Sequence, residues 1–191
     1  MTRGKILYVT REQAVQRALS QIIAIPALPP GNWPSDAGNR PIGYRLDPGF
    51  NGGFDPEAPH CASWSYGGRS PTADCIGFVL WASGIDRMQP GYKGSRDEWL
   101  NCASLLDDAK TQKKFCRFLV PELDTVKPGD WLMDTGHISM VVRPATRTTK
   151  PLVVDCSPRH DTSRQACINL GLPWSTSCKI VRPLIYKSEG V

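Results

Sequence analysis

The sequence contains no Cys-x-x-Cys pair, so its seven cysteines lack the spacing on which structural zinc sites are built. Histidine is scarce: His60, His137 and His160 are the only three, which leaves few candidates for a general base. Every apolar run falls far short of the roughly 20 residues that a bilayer-spanning helix requires, and no membrane insertion is expected. Residues 1–11 carry charge without a following apolar segment and small-residue cleavage site, so a secretory leader is not expected, and work outside the cytoplasm would need another route of delivery. Dense basic clusters are missing as well. Lys110, Lys113, Lys114 and Arg117 recur at helical intervals and read as a solvated face, which excludes nucleic acid as the expected partner. There are no internal repeats and no low-complexity tract.

What is present bounds the rest. A chain of 191 residues with 40% hydrophobic content can bury one full core, so residues 1–191 are expected to form a single domain. The formal charge of +5 and a pI near 8.9 suit a chain that meets an anionic partner such as cell wall, nucleic acid or a membrane surface. Charge alone does not choose among them.

The stretch on which the chain turns runs from Tyr66-Gly67-Gly68 through Pro71 and Thr72 to Asp74-Cys75-Ile76-Gly77-Phe78-Val79-Leu80-Trp81. A glycine-bearing loop gives way to an apolar run with no charge from Ile76 to Ser83, the pattern of a buried helix whose first turn holds Asp74 and Cys75. Unpaired N–H groups and the positive end of the helix dipole favour a thiolate there, and the thiolate is the nucleophilic form. The competing readings make Cys75 a small core residue or half of a disulfide. If Cys75 is a free nucleophile, then Cys61, Cys102, Cys116, Cys156, Cys167 and Cys178 remain, enough for three bridges in an oxidising compartment. Alternatively, all seven are reduced core thiols.

Around this stretch the chain reads as follows. Thr10 and Gln13 have capping-box spacing, and Ala14, Ala18, Leu19, Ile22 and Ile23 recur helically, predicting an amphipathic helix over residues 11–25 that stops at Pro26. Residues 26–60 are rich in proline and glycine. Trp33, Tyr44, Phe50 and Phe54 give that segment something to pack with, so it is read as an ordered loop that wraps the core or walls a cleft, in preference to a mobile linker. Ser95 with Glu98 has capping-box spacing again, and Trp99, Leu100, Leu105 and Leu106 predict a helix reaching to about Lys110. Residues 115–120, 130–133, 137–143, 152–156 and 179–186 are short apolar or alternating runs, the pattern of an antiparallel sheet. Helices followed by strands predict an α+β fold, with residues 61–191 as the working core.

Lys127-Pro128-Gly129-Asp130-Trp131 leads into one strand, Asp134-Thr135-Gly136 is a tight turn, and His137 opens the next strand, Ile138-Ser139-Met140-Val141-Val142. A strand edge facing a helix N-terminus can hold an imidazole within hydrogen-bond reach of a thiol. A solitary histidine is otherwise most often structural.

Taken in order, Tyr66-Gly67-Gly68, Asp74-Cys75-Ile76-Gly77-Phe78-Val79, Pro128-Gly129-Asp130-Trp131 and His137-Ile138-Ser139-Met140-Val141 resemble the NlpC-type papain-like cysteine peptidases, which cleave bacterial cell-wall peptides. The resemblance covers residues 63–157, about half of the chain. It implies a papain-like fold with N-terminal helices packed on a C-terminal antiparallel sheet, Cys75 as nucleophile, His137 as general base and no cofactor. It also implies a third polar residue on the strand after the histidine strand. Asp155 stands there, with His160 as its rival and a role in capping the turn into Ser157-Pro158 as the structural alternative. Asp74, Trp64, Tyr66 and Ile76 would lie near the substrate. The family's usual serine after the cysteine and its usual tyrosine before the Gly-Gly loop are replaced here by Ile76 and Trp64, which leaves the bond and the stem-peptide end open. The implied substrate is a peptidoglycan stem peptide at the bacterial cell wall or periplasm. A phage lysin, a virion-borne hydrolase and an effector passed through a secretion machine all fit, with a virion or secretion-machine partner in the last two. Two other classes stay open: a cysteine deamidase or acyltransferase acting on protein, and a non-enzymatic, disulfide-stabilised virion or binding protein on a decayed peptidase fold.

Overall fold

The architecture comes from a computed structural model that describes residues 4–23, 43–44, 55–58, 61, 63–64, 71–90, 100–120, 125–157, 168–171, 173 and 177–188. Among these residues the chain is α+β. Helix α1 (Arg11–Ile23) begins where its cap dictates: the Thr10 hydroxyl accepts from the Gln13 N–H at 3.1 Å, and the Gln13 side chain accepts from the Thr10 N–H at 2.9 Å. Its inner face is Ala14, Val15, Ala18 and Gln21, while Glu12, Gln13 and Gln16 face water. Helix α2 (Cys75–Ala82) has no polar face, and all eight of its residues are buried. Helix α3 is Cys102–Lys110.

Strands β1 (Gly43–Tyr44), β2 (Ser63–Trp64) and β3 (Pro71–Ala73) make a small sheet in the order β1-β3-β2. The main sheet joins β4 (Cys116–Phe118), β5 (Trp131–Met133), β6 (Ile138–Arg143), β7 (Leu152–Cys156), β8 (Ile168–Gly171) and β9 (Lys179–Pro183). Its order is β4-β9-β5-β6-β7-β8, and every pairing is antiparallel. Strands β5 to β8 follow one another as a meander, and β9 returns to fill the place between β4 and β5.

One buried cluster runs from Val9 to Ile185 and takes in α2, the inner faces of α1 and α3, and Trp131, Met133, Ile138, Met140, Val154 and Val181 of the sheet. Leu132, Val141 and Val153 form a smaller cluster of their own, as the alternation of side chains along β5, β6 and β7 requires. Asp130 anchors the Pro-Gly turn into β5. Its fully buried carboxylate accepts from Arg11 at 2.8 Å, from Arg182 at 2.9 and 3.1 Å and from the Lys127 N–H at 2.9 Å. Gly129, at φ +83°, is needed in that turn, because a Cβ there would stand 2.8 Å from Cγ of Arg11. No helix among the described residues is long and apolar enough to cross a membrane.

Two expectations are corrected. Helix α3 starts at Cys102 and not after Ser95: Asn101, with an extended backbone, forms a reciprocal capping box with Ser104, and Leu100 and Asn101, read as helical, lie outside it. Three disulfides are not formed either, since Cys102 and Cys116 are free thiols. The Cys116 thiol donates to the Leu105 carbonyl at 3.4 Å and lies 3.7 Å from the Asp108 carboxylate, so its neighbours are oxygens. The strand in residues 115–120 is trimmed to Cys116–Phe118, where Asp108 takes up the N–H groups of Lys114, Phe115 and Cys116. Residues 24–42 and 45–54, most of the Pro/Gly-rich segment, lie outside the described residues, as does the Ser95–Glu98 pattern.

Candidate active site

The site is built where the head of α2 meets the start of β6. Asp74 ends the extended chain (φ −121°, ψ 177°) and caps α2: its Oδ1 accepts from the Gly77 N–H at 2.8 Å and its carbonyl from the Phe78 N–H at 3.0 Å. Cys75 is therefore the first residue of the helix, 2% exposed, and its own N–H and that of Ile76 are the donors of that turn which the cap leaves over. Arg87 reinforces the position. Its Nη1 donates to both oxygens of Asp74 at 2.8 and 3.0 Å, and its Nε donates to the Leu100 carbonyl at 3.2 Å. Because Leu100 immediately precedes Asn101, the cap of α3, one buried guanidinium ties together the starts of two helices.

The sheet supplies the other half. Asp134 Oδ1 accepts from the N–H groups of Gly136 and His137, both at 2.8 Å, and the Asp134 N–H donates to the His137 carbonyl at 3.0 Å, which fixes the turn and the exit of His137 into β6. In the β6–β7 register Met140 faces Val154, which places Ser139 opposite Asp155 and His137 diagonally from it on the same face. The diagonal is closed by a hydrogen bond of 2.8 Å between His137 Nε2 and Asp155 Oδ2. Nδ1 is the ring nitrogen left for the sulfur, and the Cys75 thiol and the imidazole are near enough to shift each other's protonation.

Electrostatics push the two groups toward opposite charges. A hydrogen bond from Cys102 is the strongest influence on Cys75; together with bonds from His137 and the Ile138 N–H and the charge of the imidazolium, it outweighs the cost of burial and brings the thiol down to about 5. Burial works against the imidazolium of His137. The hydrogen bonds and charges of Asp155 and Cys75 overcome it and raise the ring to about 9. Both shifts run toward a thiolate on Cys75 and a protonated ring on His137, the charge state that a cysteine nucleophile requires.

Of the residues expected near a substrate, Asp74 is fully buried and its carboxylate is held by Arg87 and the Gly77 N–H, which makes it a helix cap and ion-pair partner facing inward. Ile76 is 3% exposed and belongs to the core. Trp64 has its backbone in β2 opposite Pro71, and its side chain lies outside the described residues, as do Tyr66, Gly67, Gly68, His60 and His160. Between the two candidates for the third polar residue, the structure brings Asp155 to His137. Among the described residues no group of three or more His, Cys, Asp or Glu side chains could hold a metal ion. Two participants were not singled out from the sequence, Arg87 and Cys102. A signal for the second was available: Asp74-Cys75 and Asn101-Cys102 are the same arrangement, a capping residue followed at once by cysteine. No family model, curated protein or solved structure matches the chain.

Proposed function

We propose that the chain is a cysteine hydrolase of the NlpC-type papain-like kind that cleaves an amide bond in the stem peptide of bacterial peptidoglycan. The observation that carries this reading is the convergence of Cys75, His137 and Asp155 from a helix and two strands, with His137 hydrogen-bonded to Asp155 at 2.8 Å and close enough to Cys75 that each shifts the other's protonation. The net charge of +5 supports residence on an anionic wall polymer.

In the proposed reaction the Cys75 thiolate adds to the amide carbonyl, and the oxyanion accepts hydrogen bonds at the head of α2, from donors that include the Cys75 N–H. The carbon–nitrogen bond then breaks as the His137 imidazolium gives its Nδ1 proton to the leaving amine. A thioester remains on Cys75. Neutral His137 next takes a proton from water, the resulting hydroxide adds to the thioester, and the sulfur leaves as thiolate with release of the acid. Asp155 holds the ring through Nε2 in both half-reactions, keeping Nδ1 on the sulfur side and favouring the imidazolium. A phage or a secretion machine is the proposed means of delivery to the wall.

The test is digestion of purified peptidoglycan followed by mass spectrometry of the muropeptides. New stem-peptide fragments from the wild type, absent with folded Cys75→Ala, are the expected result and name the bond. Equal digestion by the two proteins would end the proposal.

A further inference from the structure

We infer that the hairpin between β6 and β7, through Arg143, Arg147 and Lys150, is a docking surface for the free carboxylates of peptidoglycan and grips the polymer at a distance from the bond that is cut. This deepens the reading of the chain as a wall hydrolase and rests on that reading for the identity of the polymer.

The cations of this molecule are of two kinds. Arg11 and Arg182 serve the buried Asp130, Arg87 serves Asp74 and the Leu100 carbonyl, and Arg17 donates to the carbonyls of Pro56 and Trp81 at 2.6 and 2.8 Å. Those arginines hold the fold. Arg143, Arg147 and Lys150 are exposed and, among the described residues, meet no carboxylate, carbonyl or aromatic ring. Residues 143–151 contain no acidic residue either. They are not a dense basic run, and what marks them is charge kept in water with no use inside the molecule.

The hairpin presents these charges on a fixed frame. Arg143 pairs with Leu152 after a register shift that follows Val141. Beyond it the Thr146 N–H donates to the Thr149 carbonyl at 2.9 Å, and the Thr146 hydroxyl accepts from the Thr149 N–H at 3.0 Å and bonds to the Thr149 hydroxyl at 2.8 Å. Pro144 and Pro151 stiffen the two shoulders and offer no N–H to a further strand. Side chains carried on such a frame leave less backbone freedom to be lost on binding.

Chemistry chooses the occupant. No large apolar or aromatic side chain lies between Arg143 and Leu152. The hairpin therefore lacks the anchor of a protein interface, a ring on which a nucleic-acid base could stack and an apolar group that would enter a membrane. Guanidinium and ammonium groups beside threonine hydroxyls fit a hydrated anion that recurs along a polymer, and the free carboxylates of a peptide-bearing glycan are of that kind. The position agrees. Strands β6 and β7 run from this hairpin to His137 and Asp155, and the chain from Arg143 back to His137 rises about 20 Å. A group bound at the hairpin is too far away to be the reacting one. It keeps neighbouring stem peptides at high local concentration and leaves the chemistry untouched.

The test is co-sedimentation with purified peptidoglycan stripped of phosphate polymers by hydrofluoric acid, with Cys75→Ala as the parent so that the wall stays intact. Arg143→Gln/Arg147→Gln/Lys150→Gln is compared with Lys110→Gln/Lys113→Gln/Lys187→Gln, which removes the same net charge from other exposed positions. At low salt the hairpin variant should bind about tenfold more weakly than the parent and the second variant nearly as well as the parent, the difference closing at high salt. Equal weakening by the two variants would assign the binding to overall charge and overturn the inference. Unimpaired binding by the hairpin variant would do the same, as would a loss seen only on DNA or on walls that keep their phosphate polymers. With Cys75 restored, the hairpin variant should turn over a soluble muropeptide at the wild-type rate. A wall that is bound through the hairpin but never digested by the wild type retains the docking surface and removes the hydrolase; digestion with equal binding by all variants does the reverse.

Discussion

The helix half and the sheet half of the site are held in place by different physics. Cys75 is positioned by a buried ion pair, Asp74 with Arg87, and by two side-chain caps, so its location depends on a few polar groups taken almost wholly out of water. His137 and Asp155 are positioned by strand register and one Asx turn, with many backbone bonds sharing the load. A buried pair of charges adds little net stability, because desolvation offsets attraction, yet losing one partner is costly. The helix half should therefore fail as a fold when cut, and the sheet half should fail as chemistry.

Asp155→Asn gives the largest expected effect. The Asp155 side chain is slightly exposed at one end of its strand, so the variant should fold, but it loses the carboxylate that orients the ring and stabilises the imidazolium. Turnover of a muropeptide substrate should fall by roughly 10²–10⁴-fold, with a melting temperature close to that of the wild type. Unchanged turnover would mean that Asp155 is only structural.

Arg87→Met reverses that pattern. It leaves the Asp74 carboxylate buried without its cation and unties the two helix starts, at a cost of about 3–5 kcal/mol in urea unfolding. Pairing it with Asp74→Asn, which keeps a capping side chain, should recover a large part of the loss. A cost within experimental error for the single variant would show that the guanidinium is not what holds the helix half.

The pH profile separates the halves without lasting damage to either. Cys75 lies well below its ordinary value, so activity should rise with pH as the thiolate forms, on a limb near about 5 that belongs to the helix half. His137 is raised, so the imidazolium that protonates the leaving amine is lost on a second limb near about 9 that belongs to the sheet half. Each limb should fall about tenfold per pH unit, and the two values describe the coupled pair. Asp155→Asn removes a group that raises His137, and should bring the alkaline limb down much further than it moves the acid one. Movement of both limbs by the same amount would contradict the division.

The two halves also differed in how far the sequence disclosed them. The sheet half was legible in outline because strand signals are local: residues 152–156 coincide with β7, and His137 stands directly before β6. Strand β8 escaped because Ile168–Gly171 is a run of only four residues, too short for its alternation to stand out, and β1 to β3 are two or three residues long. On the helix side the start of α2 could be read from Asp74 and an unbroken apolar run. The start of α3 could not, since Leu100 belongs to the same apolar stripe as Leu105 and Leu106, and the boundary is set by the Asn101–Ser104 capping box and by Arg87, which takes the Leu100 carbonyl from another segment. Cysteine parity misdirected the reading of Cys102. An even remainder of six suggested bridges, whereas Cys102 is a free, buried thiol at the head of α3.

The smallest effect is the sharpest comparison. Asn101→Ala removes the acceptor for the Ser104 N–H at 2.8 Å and half of the capping box, which should cost about 1 kcal/mol. Thr10→Ala removes the equivalent acceptor from α1, whose cap bonds reach none of Cys75, Cys102 or His137, at about the same cost. If stability alone governed the nucleophile, the two variants would alkylate alike. Because Asn101 follows the Leu100 carbonyl that Arg87 holds, only its removal should loosen the Arg87–Asp74 tie beneath Cys75 and shift the acid limb of Cys75 alkylation, by a fraction of a pH unit. A limb shifted equally by Thr10→Ala would show that Cys75 responds to general loosening of the fold and not to the start of α3.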